Sequence, residues 1–101
     1  MGKFKKMAIG VGAALALSIG AAAPAFATVV NVGGGTWNYG TSVTGSSKYV
    51  WSNYVHPTKY HSSTAIIGSK NVKKFANATV WSNANATDSS SYTGYTYWST
   101  Y

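Results

Sequence analysis

The chain has 101 residues, 46% of them hydrophobic and 15% aromatic, with no cysteine and a formal net charge of +7 at pH 7. This length supports one small domain, and the lack of cysteine excludes a disulfide framework, a cysteine nucleophile and cysteine metal ligands. Because Asp88 is the single carboxylate side chain, glycoside hydrolysis by a pair of carboxylates is excluded as well.

The first 27 residues have the three parts of a secretory signal peptide. A lysine-containing start, M-G-K-F-K-K, precedes an apolar run rich in Ala and Gly, and the small residues Ala25 and Ala27 close it. We therefore predict cleavage after Ala27 and a secreted mature domain of residues 28–101, with no membrane-spanning segment. An uncleaved anchor is the alternative, which the short run and its cleavage pattern disfavour.

The mature span is poor in charge and rich in rings. Five lysines and Asp88 leave it a net charge of +4, and all aromatic residues except Phe4 and Phe26 lie in it. A cysteine-free domain this small needs a large buried aromatic area, so we expect most of five rings to be core: Trp37, Trp51, Phe75, Trp81 and Trp98. Eight tyrosines exceed what such a core encloses, so some must be exposed.

The first strand patterns follow the glycine triplet at 33–35, which indicates a flexible joint or bulge. T-W-N-Y at 36–39 predicts a strand, and residues 41–47 a loop. K-Y-V-W-S-N-Y-V-H at 48–56 predicts a strand that ends before Pro57. Its alternation divides the side chains between one face with Tyr49, Trp51 and Asn53 and another with Val50, Ser52 and Tyr54.

The second half continues this pattern. H-S-S-T-A-I-I-G at 61–68 predicts a strand joined to the previous one as a hairpin, with Thr64 and Ile66 on one face and Ala65 and Ile67 on the other. Residues 73–82 alternate and predict a strand, and 83–91 predict a loop. In the final strand, 91–101, Tyr95, Tyr97 and Tyr101 lie on one side and Trp98 on the other. About six short strands predict an all-β sandwich or barrel.

The densest cluster of reactive groups is Y-V-W-S-N-Y-V-H-P-T-K-Y-H at 49–61, which holds both histidines. A Ser-His-Asp triad with His56 or His61 and Asp88 is formally open, but no G-x-S-x-G elbow occurs, so we predict no enzyme and no catalytic residue. The two histidines lack a third and fourth metal ligand, so no metal and no cofactor is expected. The absence of arginine and the signal peptide disfavour nucleic acid as a partner.

Four stretches carry a resemblance to a known family: G-G-T-W-N-Y-G at 34–40, S-N-Y-V-H at 52–56, H-S-S-T-A-I-I at 61–67 and Y-T-Y-W at 95–98. The chain resembles the lactococcin 972 family of bacteriocins, whose members are secreted, cysteine-free antibacterial proteins, and the resemblance implies secretion from a Gram-positive bacterium. The resemblance implies a sandwich of two short antiparallel sheets without disulfides, homodimerisation, and binding of the cell-wall precursor lipid II, which blocks septum formation without pores. The T-V-V-N-V lead and Pro57 depart from the family pattern.

Lipid II presents a sugar pair, a pyrophosphate and a peptide outside the membrane, so aromatic, imidazole and lysine side chains are suited to it. The predicted ligand contacts are Trp37, Tyr39, Tyr54, His56, Lys59, His61 and Tyr97. The alternative function is a non-toxic secreted module that binds the cell wall or a carbohydrate. Growth inhibition of a related strain discriminates between the two.

Overall fold

The computed structural model describes residues 25–101, which form seven strands and contain no helix. The strands are β1 (Ala25–Val32), β2 (Gly35–Thr44), β3 (Ser47–Val55), β4 (His61–Ile67), β5 (Lys70–Ala76), β6 (Ser82–Ser89) and β7 (Gly94–Thr100). The predicted signal peptide lies outside the described residues except for residues 25–27, which begin β1. Cleavage after Ala27 stays a prediction.

The strands form two antiparallel sheets that pack face to face. The four-stranded sheet has the order β1-β2-β3-β6, and the three-stranded sheet has the order β5-β4-β7. Rings and hydroxyl groups join the sheets: Tyr54 stacks on Trp98 with centroids 5.1 Å apart, and the Oγ atoms of Ser63 and Ser82 lie 2.6 Å apart. The predicted all-β sandwich of two short antiparallel sheets is confirmed, with seven strands for the six expected.

The glycine triplet closes the β1–β2 hairpin. Gly33 and Gly34 have positive φ angles of 61° and 86°, the conformation that a two-residue turn between antiparallel strands requires. The predicted loop at 41–47 is wrong for most of its length, because β2 continues to Thr44 and only Gly45 and Ser46 form the turn to β3. The alternation of half-buried and buried side chains along β2 continues through residues 41–43.

The predicted hairpin between residues 48–56 and 61–68 is also wrong. β3 lies between β2 and β6 in the four-stranded sheet, whereas β4 is the centre of the three-stranded sheet. Residues 56–60 therefore cross from one sheet to the other, and the carbonyl of His56 accepts a hydrogen bond from the Thr79 N–H at 2.8 Å. A short spacing between two strands fits such an arch as well as it fits a hairpin, so the spacing alone could not decide.

The predicted elements at 73–82 and 83–91 need correction. β5 ends at Ala76, and residues 77–81 form a turn in which Thr79 has a positive φ of 71°. The predicted loop is mostly β6, whose Ser82, Ala84 and Ala86 are buried while Asn83 and Asn85 are exposed. Small side chains on the inner face let the sheets approach closely, and both alanines pack in a core completed by Val50, Ala65 and Ile67.

The aromatic residues are divided differently from the prediction. Trp51 is buried as expected, and Trp37, Trp81 and Trp98 are half-buried. Phe75, by contrast, is 51% exposed and is the one ring of these five that lies outside the core. It lies on the outer face of β5, opposite Ser62. Exposure of several tyrosines is confirmed at Tyr60, Tyr92, Tyr95, Tyr97 and Tyr101.

Candidate ligand-binding surfaces

Tyr54 is a core residue. The ring is fully buried, stacks on Trp98 and meets the edge of His61 with centroids 5.5 Å apart. The phenol donates a hydrogen bond to the carbonyl of Val32 at 2.8 Å, which attaches the end of β1 to β3. Burial raises the pKa of this phenol, and a backbone hydrogen bond at Gly35 opposes the rise. Tyr54 therefore has no surface to offer a ligand in this conformation.

His56 organises the crossing between the sheets. Its Nδ1 accepts hydrogen bonds from the N–H groups of Thr58 at 3.1 Å and Lys59 at 3.0 Å. The other ring nitrogen, Nε2, lies 3.1 Å from the carbonyl oxygen of Gly33 and donates to it, because an acceptor at Nδ1 leaves the proton on Nε2. The ring is 5% exposed and thus ties the 56–60 crossing to the β1–β2 turn.

His61 has a similar structural position at the start of β4. The side chain is fully buried, with Nδ1 at 2.8 Å from the carbonyl oxygen of Lys59 and Nε2 at 2.7 Å from that of Val80. Neither histidine presents a free nitrogen to solvent. Among residues 25–101, no group of three or more His, Cys, Asp or Glu side chains is arranged to hold a metal ion.

Trp37 and Tyr39 lie at the margin of the sandwich, on the inner face of β2. Their rings stack with centroids 3.8 Å apart, and Trp37 Nε1 donates to Ser52 Oγ at 2.9 Å. That hydroxyl donates in turn to the carbonyl of Tyr97 in β7 at 2.9 Å. Beyond this chain of hydrogen bonds, a groove of about 250 Å³ runs between β2 and β7, lined by Phe26, Thr28, Tyr39, Gly40, Thr41, Gly94 and Thr96.

The outer surface of the three-stranded sheet collects exposed rings. We call it the aromatic face and define it by Tyr60, Phe75, Tyr95, Tyr97 and Tyr101, together with Lys73. The ring of Phe75 lies 5.7 Å from that of Tyr60 and 5.8 Å from that of Tyr101. The predicted side for Tyr95, Tyr97 and Tyr101, opposite Trp98, is confirmed. Tyr95 and Tyr97 lie beside the outward-facing Ile66 and Thr64 of β4, and the hydroxyl of Tyr101 contacts that of Ser62 on the same face.

Positive charge and polar groups are combined with these rings. Lys73 Nζ lies 5.2 Å from the centroid of Phe75 and 6.0 Å from that of Tyr101, within the range of cation–π attraction. Tyr101 Oη lies 3.1 Å from the hydroxyl of Ser62. Hydrogen bonds from Ser62, then Ser99 and Lys73, lower the pKa of the Tyr101 phenol, because they stabilise its charged form.

The predicted contacts are thus divided between the interior and the surface. Tyr54, His56 and His61 are buried, Trp37 and Tyr39 are half-buried beside the groove, and Lys59 and Tyr97 are exposed. Tyr97 belongs to the aromatic face, and Lys59 directly precedes Tyr60 of that face in the chain. The prediction did not include Tyr60, Phe75 or Lys73. Phe75 and Lys73 share one face of β5 by alternation, and this signal was available in the sequence.

A second concave site lies on the opposite side of the molecule, on the outer surface of the four-stranded sheet. Asn38, Asn53 and Asn83 are direct neighbours across β2, β3 and β6. Together with Trp81 they line a cleft of about 130 Å³, which we call the asparagine cleft. Trp51 Nε1 donates to Asn38 Oδ1 at 2.9 Å, which fixes the floor of the cleft.

Comparisons with known proteins identify one matching family. A family model described as Bacteriocin (Lactococcin_972) matches residues 33–98, from the first glycine of the triplet to Trp98 in β7. No curated protein and no solved structure matches the chain. Within the described residues, no helix is long and apolar enough to cross a membrane.

Proposed function

The chain belongs to the lactococcin 972 family of bacteriocins, and from this premise we propose that it is a secreted antibacterial protein that binds lipid II. By sequestering this precursor it blocks septum formation and cell-wall synthesis in related Gram-positive bacteria. The protein performs no catalytic step in this proposal, and it needs no cofactor. Its effect depends on binding alone.

We propose that the aromatic face makes the contact with lipid II. The observation that supports this assignment is the concentration of exposed aromatic rings on one sheet surface. The domain is small and has few large hydrophobic residues with which to build a core, yet it leaves these rings in water. Tyr95, Tyr97 and Phe75 are each more than half exposed. Soluble monomers seldom leave such a contiguous apolar surface in water unless it binds a partner.

The chemistry of this face is suited to the parts of lipid II outside the membrane. Tyrosine rings offer an apolar surface for sugar rings and a hydroxyl for hydrogen bonding. Lys73 within the cluster and Lys59 beside it supply mobile positive charge for the pyrophosphate. Among the contacts predicted from sequence, Tyr97 and Lys59 are retained in this proposal. Tyr54, His56 and His61 are buried, and their role in this proposal is to stabilise the fold.

Substitutions on the aromatic face test the proposal. We expect Tyr97→Ala and Tyr95→Ala each to raise the minimal inhibitory concentration by about tenfold, as the loss of one well-packed binding side chain does at about 1.4 kcal/mol. Tyr92→Ala is the matched control, because Tyr92 is 48% exposed but lies in the turn before β7, outside the aromatic face. Equal loss of potency in all three variants would refute the assignment of the face.

The target is tested separately. Soluble lipid II added to the medium should relieve growth inhibition, and treated cells should show septation defects while they keep their membrane potential. Rapid depolarisation would overturn the proposed mechanism, since it indicates pores. Retention on intact cell walls with no effect on the growth of any related strain would instead favour the alternative, a non-toxic wall- or carbohydrate-binding module.

A further inference from the structure

The asparagine cleft has properties that the lipid II proposal does not use. Three amide side chains stand in one row across neighbouring strands, and the indole of Trp81 borders them. Asn38 is buried and held by Trp51, whereas no side-chain hydrogen bond joins Asn53 or Asn83 to another described residue. Asn83 is exposed, and Asn53 is 9% exposed. The two amides meet an aromatic ring in one concave site, and Asn83 is the more accessible of them.

The surroundings of the cleft are uncharged. Alternation along β2, β3 and β6 directs Ser, Thr, Asn, Gly, Val, Tyr and Trp residues to this outer face, and none of its residues is Lys or Asp. Asp88 alternates with these residues along β6, so its side chain lies on the inner face of the sheet, beside Lys48. A phosphate or another anion would find no counter-charge here, so the cleft is suited to a neutral ligand.

The size of the cleft further limits which ligands can bind. Pockets for drug-sized molecules measure roughly 300–1,000 Å³, and this one measures about 130 Å³. It can take one ring or one short polar arm of a larger molecule. A ligand that combines an apolar ring face for Trp81 with adjacent hydroxyl or acetamido groups for Asn53 and Asn83 is a sugar unit.

We propose that the asparagine cleft binds one unit of a neutral saccharide, with the sugar ring on Trp81 and its polar groups on Asn53 and Asn83. This site is separate from the aromatic face because it lies on the opposite sheet. A bivalent protein would follow, with one surface for the precursor and one for a glycan. Even weak binding of a glycan at the asparagine cleft holds the protein near the cell wall and raises the local concentration of the aromatic face there. The overall avidity for the cell surface therefore increases.

The test uses purified protein and two probes, the trisaccharides of β-1,4-linked N-acetylglucosamine and of β-1,4-linked glucose. Binding is followed by amide and indole NMR shifts, which report the side chains of Asn83 and Trp81 directly. We expect saturable shifts of both groups with at least one trisaccharide. Binding of the first probe alone assigns the site to acetamido sugars, and binding of both assigns it to the hydroxyl pattern that the two share.

Variants complete the experiment. Asn83→Ala and Trp81→Ala should each lower the affinity for the bound trisaccharide at least fivefold. Asn85→Ala should change it less than twofold, since Asn85 is an exposed asparagine on the same face of β6 but does not line the cleft. Asn83 is exposed, so its variant keeps the test valid if Trp81→Ala impairs folding. Absence of binding to both probes, or unchanged affinity in Asn83→Ala, overturns the proposal.

Discussion

Replacement of Gly33 by alanine probes how the β1–β2 turn is packed against the core. The residue has a φ of +61°, and a β-carbon built on it would overlap the ring of Trp98 and approach Tyr54 Oη to 3.0 Å. Trp98 is itself stacked on Tyr54, so the indole cannot move without disturbing the aromatic core. Both backbone conformation and packing therefore oppose a side chain at this position.

The two costs can be worked out separately. Alanine in the left-handed region lowers the free energy of unfolding by about 1–2 kcal/mol. An extra methyl group in a filled site lowers it by about 1–3 kcal/mol. Gly45→Ala is the matched control, because Gly45 has nearly the same φ, +58°, and no atom within 4 Å of its virtual β-carbon. Only the backbone cost applies there, so the difference between the two variants isolates the packing cost.

Thermal unfolding followed by tryptophan fluorescence and near-UV circular dichroism measures both variants. In a domain of this size, each kcal/mol lowers the melting temperature by about 4–8 °C. Gly33→Ala should therefore melt about 5–20 °C below Gly45→Ala, and both below the parent protein. Equal melting temperatures would mean that the turn does not rest on Trp98, and the packing argument would fail.

Three further outcomes are expected. Ser62→Ala should raise the pKa of Tyr101, because it removes the strongest of the hydrogen bonds that lower it; phenolate absorbance during a pH titration measures this, and an unchanged pKa would contradict the assignment. His56→Ala should cost about 2–4 kcal/mol in the free energy of unfolding, since three hydrogen bonds are lost. Lys59→Ala should cost less than about 0.5 kcal/mol as the exposed control, and equal losses in urea denaturation would disprove the bracing role of His56. The homodimer implied by the family resemblance predicts twice the monomer mass in light scattering, and a monomer mass at high concentration would exclude it.

The fold class could be predicted because strand alternation is strong where β-branched and aromatic residues mark it. β4 and β7 show this most clearly, and the faces assigned to Ile66 and Tyr97 were correct. β6 was missed because its inner residues are Ala and Ser, which favour strands little, while its outer residues include Asn, which is common in loops. Here the tertiary position between the sheets overrides the local preference.

The candidate site was harder to predict because the sequence cannot distinguish a buried polar ring from an exposed one. His56 and His61 have the composition of a functional cluster, yet each satisfies backbone groups of the crossing between the sheets. Phe75 has the composition of a core residue but lies outside. The asparagine row depends on register across three strands, of which β6 was not predicted, so no pattern in the sequence could place it.

The order of the strands has a consequence for the time course of folding. β1, β2 and β3 pair with their neighbours in the chain, so this part can form by local hairpin closure. β4 and β5 also form a local hairpin. Two pairings join strands that are distant in the chain: β3 with β6, where Val50 meets Ala86, and β4 with β7, where Ala65 meets Thr96. The long chain segments between these paired strands make the pairings slow to form, so the sandwich cannot be completed until the C-terminal strands are available. The last strand to be synthesised is therefore also a late step of folding, and a chain truncated before Gly94 leaves β4 unpaired along one edge.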